Sequence, residues 1–276
     1  MMIETNIVIF FIYAKIIRRL LGFRKSILPI SVMNPILILL KIFSFFFFFL
    51  LTKKFFHHFS TGLFFSVIFL IIPWQTQSSR FQMNKSLVLI ITSLFFLIVY
   101  GSNRLPDFKK LVLIFVFFFL PSLFLSISNF PRQNLPFILN PLEINQITLY
   151  QNILNPANKK FSRFSSNKAT FIIKNLEVNF FESFDFNYYF FANHPLERVG
   201  VKETEKFYSW LLPFFILGFI CLNLLTYRPI ILWVSSVLFL SSLFSNRFSE
   251  LNILLMIPFL LIMGLGFEKI RHEIKI

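Results

Sequence analysis

PILILLKIFSFFFFFLLT, residues 35–52, decides what kind of molecule this is. Lys41 is its one charge, and the rest is almost wholly aliphatic and aromatic. The hydrocarbon core of a bilayer is about 30 Å thick, so a crossing helix needs ~20 mainly apolar residues, with ~17 as a lower limit. The run therefore reads as a membrane span. A lysine inside it can snorkel along its own stem to the headgroups. The other reading of Lys41 is a functional intramembrane cation.

Working outward, six further runs have the same character: FSTGLFFSVIFLIIPW at 59–74, SLVLIITSLFFLIVYG at 86–101 and LVLIFVFFFLPSLFLSIS at 111–128, then YSWLLPFFILGFICLNLLT at 208–226, PIILWVSSVLFLSSLFS at 229–245 and LNILLMIPFLLIMGLGF at 251–267. The second and third runs of the chain are short for a full span. They are expected to stand nearly upright, thin the bilayer locally or lie partly re-entrant. Pro121 and Pro258 fall inside spans, where kinks are expected and neighbouring helices can satisfy the freed carbonyls.

Composition agrees with these runs. The chain is 56% hydrophobic and 14% charged over 276 residues, with a mean hydropathy of +0.73. A soluble chain carries about 25% charged residues, so too few polar groups are present to coat a water-soluble globule. The 44 phenylalanines are read as the mark of an AT-rich genome, and Phe serves a lipid-facing helix nearly as well as Leu. A formal net charge of +15 would suggest nucleic acid in a soluble protein. Here Arg18, Arg19, Lys53, Lys54, Lys109 and Lys110 flank apolar runs, where basic residues fix orientation and meet anionic lipid headgroups. No nucleic-acid role is expected.

The N-terminal segment contains NIVIFFIYAKIIRRLLGF, 6–23, interrupted by Lys15, Arg18 and Arg19. An interfacial amphipathic helix suits it better than a span. Glu4 before the apolar run and positive charge after it reverse the order of a secretory signal. The polar interval 129–207 is expected to open with loop in PRQNLPFILNPLEINQ, broken by Pro131, Pro136 and Pro141. A helix should follow over roughly 158–184, with an apolar face through Phe171, Ile172, Leu176, Phe180 and Phe184. With the C-terminal EKIRHEIKI in the cytoplasm, counting back puts Lys269, Arg271, Lys275, Arg228, Arg104, Lys109, Lys110, Lys53 and Lys54 on the cytoplasmic side. Counted over the short loops, only Arg80, Lys85 and Arg247 fall on the other side, where the large loop lies, which obeys the positive-inside rule. The basic stretch from Lys15 to Lys25 then falls outside, against the rule.

Chemistry-bearing residues are few. Cys221 is the single cysteine, so the chain can form no intrachain disulfide and no Cys-based metal motif. His57 and His58 in LTKKFFHHFS have no nearby acid or cysteine and read as a basic interfacial turn rather than a zinc site. No GxGxxG, P-loop or GxSxG occurs. GLG at 264–266 is a small-residue patch suited to close helix packing. No carboxylate lies within the seven runs, which counts against a cation-coupled transporter. The densest chemical stretch is FESFDFNYYFFANHPLERVG, 181–200. Glu182 and Asp185 are three apart and would share a face if the helix continues. With His194, Glu197 and Arg198 they are the candidate catalytic residues. The plainer reading makes Tyr188, Tyr189, Phe190 and Phe191 an interfacial aromatic belt, and Glu197 and Arg198 solvated charges.

Residues 162–200, SRFSSNKATFIIKNLEVNFFESFDFNYYFFANHPLERVG, followed by a span from near Leu211, resemble a segment of multi-pass envelope proteins of candidate-phylum bacteria. Those proteins in turn resemble the dolichyl-phosphate-mannose protein mannosyltransferases. The shared features are a helix, an aromatic FDxNYYFF-like turn and a charged tail that re-enters the membrane. The resemblance implies a bacterial envelope protein and a lipid-linked sugar as partner. Such enzymes carry catalytic acids in their first external loop, whereas here no acid lies between Glu4 and Asp107, so no catalytic residue carries over.

The expected fold is all-α, a multi-pass transmembrane helix bundle of about seven spans with one large mixed or helical loop. The expected parts are an interfacial segment 1–34, four spans in 35–128, the loop 129–207, three spans in 208–267 and a basic tail 268–276. The expected role is noncatalytic or accessory in the cell envelope, in the bacterial plasma membrane with the loop outside. A membrane glycosyltransferase-like protein, truncated or whole, and a small-molecule transporter are the alternatives. Expected partners are the bilayer with its anionic headgroups, a lipid-linked sugar or another membrane protein. No cofactor and no metal are expected.

Overall fold

The computed structural model describes residues 30–74, 83–102, 105–127, 141–154, 167–191, 205–243 and 249–274. All regular structure among the described residues is helical. In chain order the helices are α1 Ile30–Phe55, α2 Phe59–Ile71, α3 Met83–Gly101, α4 Phe108–Ile127, α5 Pro141–Leu154, α6 Lys168–Ser183, α7 Phe186–Phe190, α8 Leu212–Ile220, α9 Arg228–Leu243, α10 Ser249–Asn252 and α11 Met256–Ile274. Tight 3-10 turns, Ser209–Leu211 and Ile253–Leu255, lead into α8 and α11. Three stretches are long and apolar enough to cross a membrane: Asn84–Gly101, Phe108–Ser126 and Ile253–Glu273. Helices α2, α8 with its leading turn, and α9 are apolar but shorter.

The all-helical expectation holds, but among the described residues only three of the seven expected spans are long and apolar enough to cross, and the run 35–52, inside α1, is not one of them. The 86–101 run is not short, because the helix reaches back to Met83 and takes in Asn84 and Lys85 at its polar end. The 59–74 run stays short, with 13 helical residues. The run expected to continue to Thr226 stops being helical at Ile220, and residues 221–227 turn. The tail expected from residue 268 is instead the last turns of α11, carried through Ile274. Residues 141–146, expected as loop, open helix α5. Pro141 stands first in that helix, where its missing N–H has no partner to lose and its fixed φ suits helical geometry. Of the segment 1–34 expected to be interfacial, residues 1–29 lie outside the described residues and 30–34 already belong to α1.

The core is built around α11. Every residue from Leu251 to Gly266 is buried, and α2, α3, α8, α9 and α1 pack on this stretch and its leading turn. A helix apolar on every side is stable only when wholly enclosed or surrounded by lipid. Here it is enclosed by other apolar helices. The outer helices turn large apolar groups outward, with Leu113 64% and Phe124 77% exposed on α4, and Phe239 61% exposed on α9.

Close approach at the centre depends on glycine. A Cβ built on Gly218 of α8 would run into the Ile262 carbonyl, and one on Gly266 of α11 would run into the Phe214 carbonyl. The two glycines face each other, and the backbones touch. Gly264 is filled by the Phe56 ring. The small-residue patch thus packs helices, as its composition implied.

Pro258 sits in the first turn of α11 and cannot donate to the carbonyl four residues back, that of Leu254. The Trp233 indole of α9 donates to that carbonyl at 2.9 Å. Trp233 is fully buried among Phe95, Phe96, Phe115 and Phe119, with ring centroids 4.8–5.8 Å away. In place of a mid-span kink, the proline follows a 3-10 turn, and a neighbouring helix supplies the missing donor. Hydroxyls elsewhere bond back within their own helices, as Thr92 to Val88 and Ser126 to Ser122. Thr52 and Ser66 join α1 to α2 across 2.9 Å.

Candidate functional site

The alternating helices create two ends. At one, α6 begins with a reciprocal cap: the Asn167 side chain accepts from Thr170 N–H, and the Thr170 hydroxyl accepts from Asn167 N–H. The helix lies against α9, where Asn179 Nδ2 donates to the Ser242 carbonyl at 3.3 Å. Its expected apolar face is only half right. Phe171, Ile172, Leu176 and Phe184 are half-buried, Phe180 is exposed, and the residue fully buried is Ser183. The helix rests on the end of another helix and its carbonyls, so polar side chains serve on its inner side.

The chain breaks at Phe184, the C-cap of α6, and Asp185 starts a new helix by accepting from Asn187 N–H at 2.9 Å. Glu182 and Asp185 therefore do not share a helix face: one closes α6 and the other caps α7. His194, Glu197 and Arg198, and so their juxtaposition with these acids, lie outside the described residues.

The aromatic run is not a belt at the water boundary. Tyr189 and Phe190 are fully buried, Tyr188 is half-buried and only Phe191 is exposed among the four. The Tyr189 hydroxyl donates to the Ser183 carbonyl at 2.8 Å. The Tyr189 carbonyl accepts from Lys206 N–H at 3.0 Å and from Phe207 N–H at 2.8 Å. The Lys206 carbonyl accepts from Trp74 N–H at 3.1 Å. Trp74, Phe207 and Phe259 pack around the Tyr189 ring and its neighbours. Burial first, then Tyr188 and Asp185, pushes the Tyr189 phenol well above its ordinary pKa and keeps it a proton donor. Lys206, nearly buried itself, holds its ammonium 5.1 Å from the centre of the Tyr188 ring. This stretch therefore ties the end of α2, the loop before α8 and α11 into one unit.

The opposite end gathers cations. Lys53 and Lys54 close α1, Lys109 and Lys110 open α4, Arg228 opens α9, and Lys269 and Arg271 lie near the end of α11. Cross-links hold these segments together. Arg228 donates to the Pro106 carbonyl at 3.1 Å, His58 N–H to Glu268 Oε1 at 3.1 Å, and Arg271 to the Ser60 hydroxyl. Phe55 packs on Tyr100 and Tyr227. Lys269 pairs with Glu273 at 3.0 Å on the exposed face.

At this end lies an open cleft of about 300 Å³, lined by His57, His58, Cys221, Tyr227, Leu265, Glu268, Lys269 and His272. The α1–α2 turn, the α8–α9 turn and α11 each supply part of it. Sequence reading found the two adjacent histidines but not their partners, which come from two segments more than 160 positions downstream. Only the fold brings them together. Burial, then Glu268, then Cys221 pushes the Tyr227 phenol upward, so it too stays protonated at neutral pH. Among the described residues no group of three His, Cys, Asp or Glu side chains is placed to hold a metal ion. The cleft can offer hydrogen-bond donors to an anion, while its one ammonium, Lys269, is paired with Glu273 and its one carboxylate is Glu268. Compared with known families, characterised proteins and solved structures, the chain matches none.

Proposed function

We propose that the chain is a multi-pass integral membrane protein of the bacterial plasma membrane, with its seven apolar segments crossing or entering the bilayer. The basic end faces the cytoplasm, and the α5–α7 end faces outward. The observation that carries this reading is the surface itself: exposed Leu, Phe and Ile side chains around the sides of the bundle and, among the described residues, Lys53, Lys54, Lys109, Lys110, Arg228, Lys269 and Arg271 at one end against Lys85, Lys168, Lys174 and Lys206 at the other. Exposed apolar area of this extent marks contact with lipid or protein, and the charge bias follows the positive-inside rule.

Its role is accessory rather than catalytic, as a scaffold or a handler of lipid-linked sugar in the envelope. The resemblance of residues 162–200 to envelope proteins supports the setting. The cap made by Asp185 supports the structural use of its carboxylate. The test is complementation of a deletion strain with the double variant Glu182→Gln, Asp185→Asn at matched membrane levels. Amides keep the shapes and the cap but cannot transfer protons as acids do. Full complementation is expected, and loss of it with normal membrane levels would overturn the accessory reading.

A further inference from the structure

We infer that the cleft at the basic end binds the phosphodiester headgroup of an anionic lipid. The inference deepens the membrane reading above and takes its choice of ligand from it. Three features converge. His57, His58 and His272 reach the cleft from two different elements and line a space of about 300 Å³, large enough for a headgroup. Within the lining Glu268 accepts the His58 backbone N–H and Lys269 is paired with Glu273, and the cations Lys53, Lys54 and Arg271 lie on the same end of the bundle. Excess cation at a bilayer surface draws anionic lipid.

The third feature is apolar. The turn that supplies Cys221 and Tyr227 also carries Leu224 and Leu225, which are 72% and 78% exposed, and it follows Ile220, which is 72% exposed. A soluble anion has no use for such a margin. A lipid does, because its acyl chains must continue from the polar site along apolar protein surface. The short α8 leaves this turn beside the cleft rather than continuing as helix.

Cys221, the single cysteine of the chain, lines the cleft and is partly exposed. Its alkylation therefore reports occupancy. The full chain in mild detergent would be treated with N-ethylmaleimide in the presence of dihexanoyl-phosphatidylglycerol, dihexanoyl-phosphatidylcholine or inorganic phosphate at equal concentration. Phosphatidylglycerol is expected to slow alkylation at least about fivefold once the site is mostly occupied, and the other two to leave it near the unprotected rate. In the variant His57→Gln, His272→Gln, protection should vanish while the rate without lipid stays at the wild-type value, which shows an intact cleft. No protection by phosphatidylglycerol, equal protection by phosphatidylcholine, or protection that survives the double variant would overturn the site. Equal protection by inorganic phosphate would overturn the lipid and leave a free anion as the ligand. Because the assay runs in detergent, its failure reads on the cleft alone and not on membrane topology.

Discussion

At the scale of single residues, the bundle is governed by how polar backbone groups are satisfied in apolar surroundings. Pro258 removes a donor, and Trp233 replaces it at Leu254. Trp233→Phe keeps most of the ring volume and leaves that carbonyl unpaired, at a cost of ~1–3 kcal/mol. In a Pro258→Ala background the alanine N–H can reach the same carbonyl, so the cost of Trp233→Phe should shrink. Thermal denaturation of the four proteins in detergent checks this, and equal costs in both backgrounds would contradict it. Asp185 is a second case. Asp185→Asn should leave stability near wild type, and Asp185→Ala should lose ~0.5–2 kcal/mol as the α7 cap disappears. The same melting experiment reads it, and equal losses for the two variants would contradict the cap. Neither role was legible in the sequence. Pro258 could be seen inside an apolar run, but not which of three tryptophans would answer it. Glu182 and Asp185 stand at helical spacing, yet the break at Phe184 lies between them.

At the scale of elements, the apolar runs could be recognised because their composition alone is decisive: each is too apolar to face water. Their ends were harder to place. Helix α11 runs on through Glu268, Lys269 and Arg271, because charges are harmless once a helix has left the apolar layer. Helix α8 stops at Ile220 although Leu222, Leu224 and Leu225 continue the apolar pattern. Hydropathy carries no information on where the main chain turns. The α8–α11 contact was partly legible, since GLG at 264–266 marked a close approach, although its partner Gly218 did not stand out. The contact makes a sharp prediction. Gly218→Val and Gly266→Leu each place side-chain atoms where a facing carbonyl lies, so the helices must separate and the folded protein should be largely lost. Gly101→Ala, with open space around its added carbon, should change stability by no more than about 1 kcal/mol. Fluorescence-detected size exclusion after heating separates these outcomes. A Gly266→Leu protein as stable as Gly101→Ala would contradict the packing.

At the scale of the whole molecule, two ends of different character are joined by an apolar waist. Among the described residues of the interval 129–207 lie helices α5, α6 and α7, and the last of these, Phe186–Phe190, plugs aromatic side chains into the core. The basic end was visible as lysine and arginine beside apolar runs, whereas the cleft within it was not, because its histidines, cysteine and glutamate come from separate segments. In the reading proposed above, these two ends lie on opposite sides of a bilayer. This placement is tested most directly by thiol labelling in a Cys221→Ser background. One protein would carry a single cysteine at Lys174 on α6, and another at Lys110 on α4, both at exposed positions. Replacing Lys174 leaves the Asn167 cap of α6 untouched. A membrane-impermeant maleimide is expected to label the Lys174→Cys protein in intact cells and the Lys110→Cys protein only after lysis. Labelling of both positions from the same side would contradict it.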